Sequence, residues 1–326
     1  MQALSALLAP LGWVYCAVSA LRALAYRRGW LGSESAPVPV IVVGNLTVGG
    51  TGKTPLVLWL VRHLTERGLC PGVVTRGYGG SRHQDARLVP EQADPLLYGD
   101  EPVLLATHAG CPVAVSHDRV AAARLLVAEH GCDLLVTDDG LQHYRLRRDC
   151  EILVVDGMRG FGNGRCLPAG PLREPQHRGR RTDLRILNGG ADAAGPGARA
   201  KETIGCLMRM TLVPGDAVNL YDARQVRPLK AFRADSVTAV AGIGNPRRFF
   251  SMLRDHGLLI RERAFPDHHP FVAKDFAGLA PGVVLMTEKD AVKCRALAKP
   301  EHWYVPVQAQ PDAAFVLALN RMIDGF

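Results

Sequence analysis

The chain has 326 residues, a length that predicts about two domains. Hydrophobic residues at 48% and charged residues at 21% exclude a wholly disordered chain, and 34 Gly and 22 Pro without a repeating period exclude collagen, propellers and solenoids. With 39 Lys and Arg against 31 Asp and Glu, the formal net charge of +8 favours an anionic partner: phosphate, nucleic acid or an acidic membrane surface.

No charge falls between Ala3 and Leu21, a stretch that holds Leu4, Leu7, Leu8, Leu11, Trp13, Val14, Tyr15 and Val18 and is followed by Arg22, Arg27 and Arg28. Its length is borderline for a spanning helix, which needs roughly 17–25 apolar residues, and Pro10 and Gly12 weaken it as a straight one. No basic segment precedes the apolar run and no small-x-small site follows, which argues against a cleaved signal. Residues 1–28 are expected to form a membrane-associated helix, either spanning or lying in the interface with its arginines against anionic headgroups. A helix packed on the protein's own core is the alternative.

Val38–Val43 reads as a strand running into a glycine-rich loop, and Pro55–Arg67 as a helix stopped by Gly68. Gly72–Thr75, Pro112–Ser116, Leu134–Thr137 and Ile152–Val155 are further strands, with a helix over Arg119–Glu129. Apolar runs without clean alternation, separated by helices, indicate a parallel sheet covered on both faces. The Gly- and Ala-rich segment 188–200 predicts a boundary, giving a nucleotide-binding domain over 29–195 and a smaller α/β domain over 196–326. In the latter, strands are expected at Leu207–Leu212, Val237–Ala241, Val283–Met286 and Tyr304–Val307, and helices at Arg247–Asp255 and Ala313–Met322. The eight cysteines are scattered, with no C-x-x-C pair and no His cluster to complete a zinc pattern, so reduced thiols are expected.

The strongest chemical signal is Thr47-Val48-Gly49-Gly50-Thr51-Gly52-Lys53-Thr54, placed between a strand and a helix. Glycines let successive backbone N–H groups turn toward phosphate oxygens, and the helix N-terminus adds its dipole. Lys53 is expected on the β- and γ-phosphates and the Thr54 hydroxyl on Mg²⁺. Thr47 stands where the usual pattern has its first glycine. The strand Leu134–Thr137 ends in Asp138-Asp139-Gly140, an acid placed to hold Mg²⁺ from the far side of the nucleotide, with Asp138 the better candidate. No N-K-x-D guanine reader occurs, so ATP is preferred over GTP.

These loops resemble the tetraacyldisaccharide 4′-kinases of lipid A synthesis. The resemblance begins with Val43-Gly44-Asn45-Leu46 and the glycine loop through Pro55, and continues in order with Thr75-Arg76-Gly77-Tyr78-Gly79, Gly99-Asp100-Glu101-Pro102 and Asp138-Asp139-Gly140-Leu141-Gln142-His143. Phe161-Gly162-Asn163-Gly164, Leu167–Pro175, Gly242-Ile243-Gly244-Asn245-Pro246, Phe265-Pro266-Asp267-His268-His269 and Thr287–Lys293 complete it, across nearly the whole chain. The resemblance implies two α/β/α sandwich domains, the first a P-loop kinase domain, with the active site in the cleft that the second closes. It implies an ATP- and Mg²⁺-dependent enzyme that phosphorylates the 4′-hydroxyl of a lipid A disaccharide 1-phosphate at the cytoplasmic face of the inner membrane. A glycolipid and an anionic membrane surface are the expected partners; nucleic acid is not, for want of an aromatic-interleaved basic stretch, and no obligate protein partner is implied.

Transfer to a sugar hydroxyl needs a group to accept its proton. Asp100, in a Gly- and Pro-framed loop, is the candidate, with His268 orienting it; the resemblance supports this pairing. Asp139 and His143, four apart, share a face if the segment turns helically, and could order Mg²⁺ or the acceptor. Arg76, Arg119 and Arg173 are candidate phosphate clamps, and Asn45, Tyr78, Glu101, Gln142 and Glu174 fall in the same motifs as candidate substrate contacts. The rival reading is a nucleotide-switched P-loop binding protein of metallochaperone type, which the missing Cys/His cluster disfavours.

Overall fold

The structure, a computed structural model, describes residues 2–81, 85–190, 195–205 and 207–326, with residues 2–4 described by backbone alone. Its centre is the strand Val40–Gly44, five residues all buried, because helices cover both faces of the sheet around it. Leu134–Asp138 pairs with it in parallel on one side and Cys150–Asp156 on the other, setting Val43 opposite Asp138. Parallel strands continue through Pro71–Thr75 and Val113–Val115 in one direction, and through Leu184–Asn188 and Met208–Pro214 in the other. Arg87–Leu88 and Val307–Pro311 add antiparallel edges, giving nine strands among the described residues.

Helices Lys53–Glu66, Asp100–His108 and Ala313–Ile323 cover one face through residues such as Leu56, Leu60, Leu105 and Phe315. Arg119–His130 and Pro196–Ile204 cover the other through Val120, Leu126, Ala200 and Ile204. The second sheet has six strands among the described residues, four of them parallel: His302–Val305, Val283–Thr287, Val237–Ala241 and Ile260–Ala264. Helix Pro246–Asp255 packs Phe249, Phe250 and Leu253 on one of its faces, and Glu288–Cys294 packs Ala291 and Cys294 on the other. Both units are thus α/β/α sandwiches.

The path of the chain corrects the expected boundary. Segment 188–200 is no linker: Asn188 ends a strand inside the first sheet, and Pro196 opens a helix. Residues 191–194 of that segment lie outside the described residues. The chain leaves the first sheet only after Pro214, builds the second over residues 217–305, then returns with Val307–Pro311 and Ala313–Ile323. Pro306, which cannot donate to a ladder, splits the expected strand Tyr304–Val307 between the two sheets.

At the N-terminus, helix Gln2–Leu7 gives way to Ala9–Arg27, and Pro10 falls in the first turn of the second, where proline is tolerated. A Cβ on Gly12 would stand 2.9 Å from Ala169 Cβ, so the helix lies directly on the body at this point. Ala9 and Ala23 are buried, while Leu11, Trp13, Val14, Val18 and Leu21 are exposed. Packing on the protein's own core therefore accounts for one face only. Among the described residues, no helix is long and apolar enough to cross a membrane, which sets the spanning reading aside.

Candidate active site

The site lies at the C-terminal ends of the parallel strands, where open α/β sheets bind ligands. Thr47 forms a β-bridge with Leu172 and the Val48 amide donates to Pro171 O, so a second loop braces the start of the glycine loop. Gly49 and Gly52 have φ of +92° and +90°, left-handed conformations that favour glycine. Asn188 donates to Thr51 O at 2.8 Å and lies where a Cβ on Gly52 would fall. Asn45 is buried and donates to Gly49 O at 3.4 Å. Among the described residues the buried Thr51 hydroxyl has no partner. Beside this loop a cavity of about 210 Å³ runs from Gly50–Pro55 to Ile243, Phe249 and Met252 of the second unit, pairing a phosphate cradle with an apolar wall.

Asp138 and Asp139 are adjacent in sequence but opposite in electrostatics. Thr54 Oγ1 donates to Asp138 Oδ2 at 3.4 Å, and Oδ1 is buried without a partner among the described residues. Burial, then the Glu101 charge, push the Asp138 carboxyl up to about 7 against the pull of Lys53. Burial also works against ionisation of Asp139, but Lys53 at 3.4 Å and Arg173 at 2.8 Å hold it well below the usual carboxylate range. Arg119, buried, donates to the carbonyls of both residues at 3.2 and 2.9 Å, so its guanidinium clamps backbone instead of standing free for phosphate. The segment 139–143 turns without forming the helix on which a shared Asp139–His143 face was expected; φ at Asp139 is +52°.

Those two side chains nevertheless line one cavity of about 530 Å³, together with Arg76, Tyr78, Glu101, Arg119, Gln142, Arg173 and Glu174. Of the expected substrate contacts, Asn45 is not among the residues lining it; it sits beneath the glycine loop. Tyr15, Val18, Ser19 and Arg22 of the N-terminal helix form another wall. Burial, then the charges of Arg119 and Arg148, push His143 down to about 4, so it is neutral near pH 7, and its Nε2 has no partner among the described residues. Glu174 is buried and fixed by Gln142 at 3.0 Å and by the Tyr144 hydroxyl, and Gln142 also donates to Asn45 O at 3.1 Å.

Asp100 and His268 meet across the two units. His268 Nδ1 lies 3.0 Å from both oxygens of Asp100, and His268 has a φ of +59°. Among the described residues, Asp139 and His268 are the only non-glycine positions with positive φ, strain of a kind that concentrates at functional sites. Asp100 is not in a loop, as expected, but is the first residue of helix Asp100–His108. Burial works to raise its carboxyl, but the hydrogen bond from His268 and the Lys289 charge outweigh it and hold the group below the ordinary range. The same bond raises His268 against its own burial. Tyr78 packs its ring 4.9 Å from the imidazole, centroid to centroid.

Lys289 and Lys293 join the site without a role expected from the sequence. Lys289 Nζ is 2.9 Å from Glu101, 3.8 Å from Asp100 and 3.7 Å from Asp267, and Lys293 Nζ is 4.0 Å from Asp100. Their four-residue spacing in Thr287–Lys293 was the available signal.

The model of the tetraacyldisaccharide-1-P 4′-kinase family matches residues 4–324. The tetraacyldisaccharide 4′-kinase of Xanthomonas campestris is 50% identical over 319 residues, covering 95% of this chain and 90% of its own length. That of Nitrosococcus oceani is 48% identical over 309 residues, covering 95% of this chain and 88% of its own. The crystal structure of LpxK from Aquifex aeolicus in complex with ATP superposes with a TM-score of 0.76 at 26% identity, covering 98% of this chain and 99% of that one. With the nucleotide loop, the acid pair and the cleft between two sandwiches in place, the chain belongs to the tetraacyldisaccharide-1-phosphate 4′-kinase family.

Proposed function

We propose that the protein transfers the γ-phosphate of ATP to the 4′-hydroxyl of a tetraacyl disaccharide 1-phosphate, with Asp100 accepting the hydroxyl proton. Family membership supplies the kinase activity; the observation that carries the residue roles is the Asp100–His268 pair, which meets across the two units and lines a cavity of about 920 Å³. Glu101, the neighbour of Asp100, lines both the nucleotide and the acceptor cavities. An ionised, partly enclosed carboxylate oriented by a histidine suits general-base work. Lys53 and Arg173, gathered by Asp139, would face charge on the transferred group. His143, neutral and with a ring nitrogen that has no partner among the described residues, would bind the acceptor through a hydrogen bond.

Thr54 and Asp138 fit Mg²⁺: the Thr54 hydroxyl at the foot of the nucleotide loop meets Asp138 Oδ2, and the other carboxylate oxygen, Oδ1, is buried with no partner among the described residues. Mg²⁺ is commonly held by one or two protein side chains together with substrate phosphates, and this pair would supply the protein's share. Bound there, Mg²⁺ would neutralise charge on the β- and γ-phosphates. The exposed Leu11, Val14, Val18 and Leu21, followed by Arg22, Arg27 and Arg28, support seating on an anionic membrane surface, the cytoplasmic face of the inner membrane, with the acceptor cavity opening beside the helix. Incubation with labelled ATP, Mg²⁺ and a panel of glycolipid acceptors, followed by locating the new phosphate, tests the reading. Label at the 4′ position of the disaccharide is expected. ATP consumption that ignores the acceptor would contradict it.

A further inference from the structure

The two halves of the proposed base come from different units, so something must set one unit against the other. On the nucleotide-loop side of the cleft, Asp156 ends the strand Cys150–Asp156 with its side chain buried. Its Oδ1 accepts the amides of Met158 and Arg159 at 2.9 and 3.2 Å, which fixes the carboxylate within the first unit. Arg248, in the first turn of helix Pro246–Asp255 of the second unit, brings Nη2 within 3.0 Å of that oxygen. Arg159 spans the same seam: Nη2 donates to Gly50 O at 2.9 Å and Nη1 to Gly244 O at 3.3 Å. Between them the backbones touch. A Cβ on Gly244 would overlap the Gly50 nitrogen and stand 3.0 Å from Gly49 Cα. The motif Gly242–Pro246 thus packs against the phosphate cradle itself.

We propose that Asp156, Arg159 and Arg248 form a latch that seats the second unit on the nucleotide loop and so brings His268 to Asp100. These are positioning residues, and the inference rests on the reading of Asp100–His268 as the proton-accepting pair. The latch meets the first unit at the glycine loop and the pair meets it at helix Asp100–His108, and the two adjoin in the second unit: a Cβ on Gly244 would stand 3.1 Å from Asp267 Oδ2, one residue before His268. Loosening the first therefore displaces the second. Displacement of reacting groups by about 1 Å can cost on the order of 100-fold.

The test is a set of mutant cycles on the full-length protein, reading kcat and the KM for ATP. Arg248→Ala, Asp156→Asn and Gly244→Ala, the last a wedge that leaves every latch side chain in place, should each lower kcat about ten- to a hundredfold. Arg248→Lys should retain more activity than Arg248→Ala. In a His268→Ala background the same changes should add little, because residues acting as one unit are non-additive. Without any ligand, amide hydrogen exchange should rise in residues 242–246 and 265–269 of Arg248→Ala. Equal losses in both backgrounds, or a loss confined to the KM for ATP, would make Arg248 a direct phosphate contact and overturn the latch. Full activity in Arg248→Ala and Gly244→Ala, with His268→Ala crippled, also overturns it and leaves the base intact. Full activity in His268→Ala overturns the reading of the base and, with it, a latch that acts through that pair.

Discussion

Asp100 and His268 are 168 positions apart, and their link makes a pH prediction whose sign follows from the two shifts. Asp100 is depressed below its ordinary 3.8, so its contribution to stability is present above that value and is lost as pH falls through the folded value. His268 is raised above 6.5, so its contribution is full below 6.5 and is lost as pH rises through the raised value. The destabilisation caused by His268→Ala should therefore be greatest between 3.8 and 6.5 and shrink on the alkaline side. Denaturant midpoints of mutant and parent across pH check it; a loss independent of pH would contradict the linkage. The same mutation removes the group that holds Asp100 low, so the acidic limb of the rate profile should move to higher pH. Asp139 is a different case. Its ion pairs with Lys53 and Arg173 make it an orienting group, and a base there is disfavoured because those cations hold its basicity low.

At the scale of elements, Lys53→Ala should nearly abolish transfer while leaving the fold intact, since Lys53 opens the helix Lys53–Glu66 but supplies none of its core. Circular dichroism and turnover on the same preparation check this, and parental turnover would contradict it. Leu60→Ala, in the fully buried middle of the same helix, should instead cost about 2–5 kcal/mol in unfolding free energy, read from denaturant melts. Deleting residues 1–25 should release the protein from membranes and weaken use of a bilayer substrate; sedimentation with membranes in high salt would show that the anchor lies elsewhere. The elements with strong periodicity or continuous apolar runs were legible in the sequence: Val237–Ala241 was located to the residue, and Arg119–His130 to within one. Pro196–Ile204 was not, because Gly and Ala mask a helix whose stability comes from packing Ala200 and Ile204 on the sheet. Asp100 looked like a loop residue for a related reason: Gly99 and Pro102 frame a helix start as readily as a turn.

For the molecule as a whole, spacing makes the site legible where its parts are local, whereas the Asp100–His268 pair, made by assembly, is expected with the support of the family resemblance, and other assembled parts are not expected at all. The glycine loop and Asp138-Asp139 are contiguous, so spacing alone exposed them. The cluster of Glu101, Lys289 and Asp267 joins two sheets, and the chain's return to the first sheet after Pro306 is written in no local pattern. That return ties the second unit to the first at both of its ends. The central claim, that Asp100 takes the acceptor proton, is tested most directly by the single-turnover rate of phosphate transfer from labelled ATP in Asp100→Asn, measured with nucleotide affinity on the same protein. The account predicts a fall of about 10²–10⁴-fold in the chemical step with ATP affinity nearly unchanged. A rate at the parental level, or a loss that disappears at saturating Mg²⁺ and ATP, would contradict it.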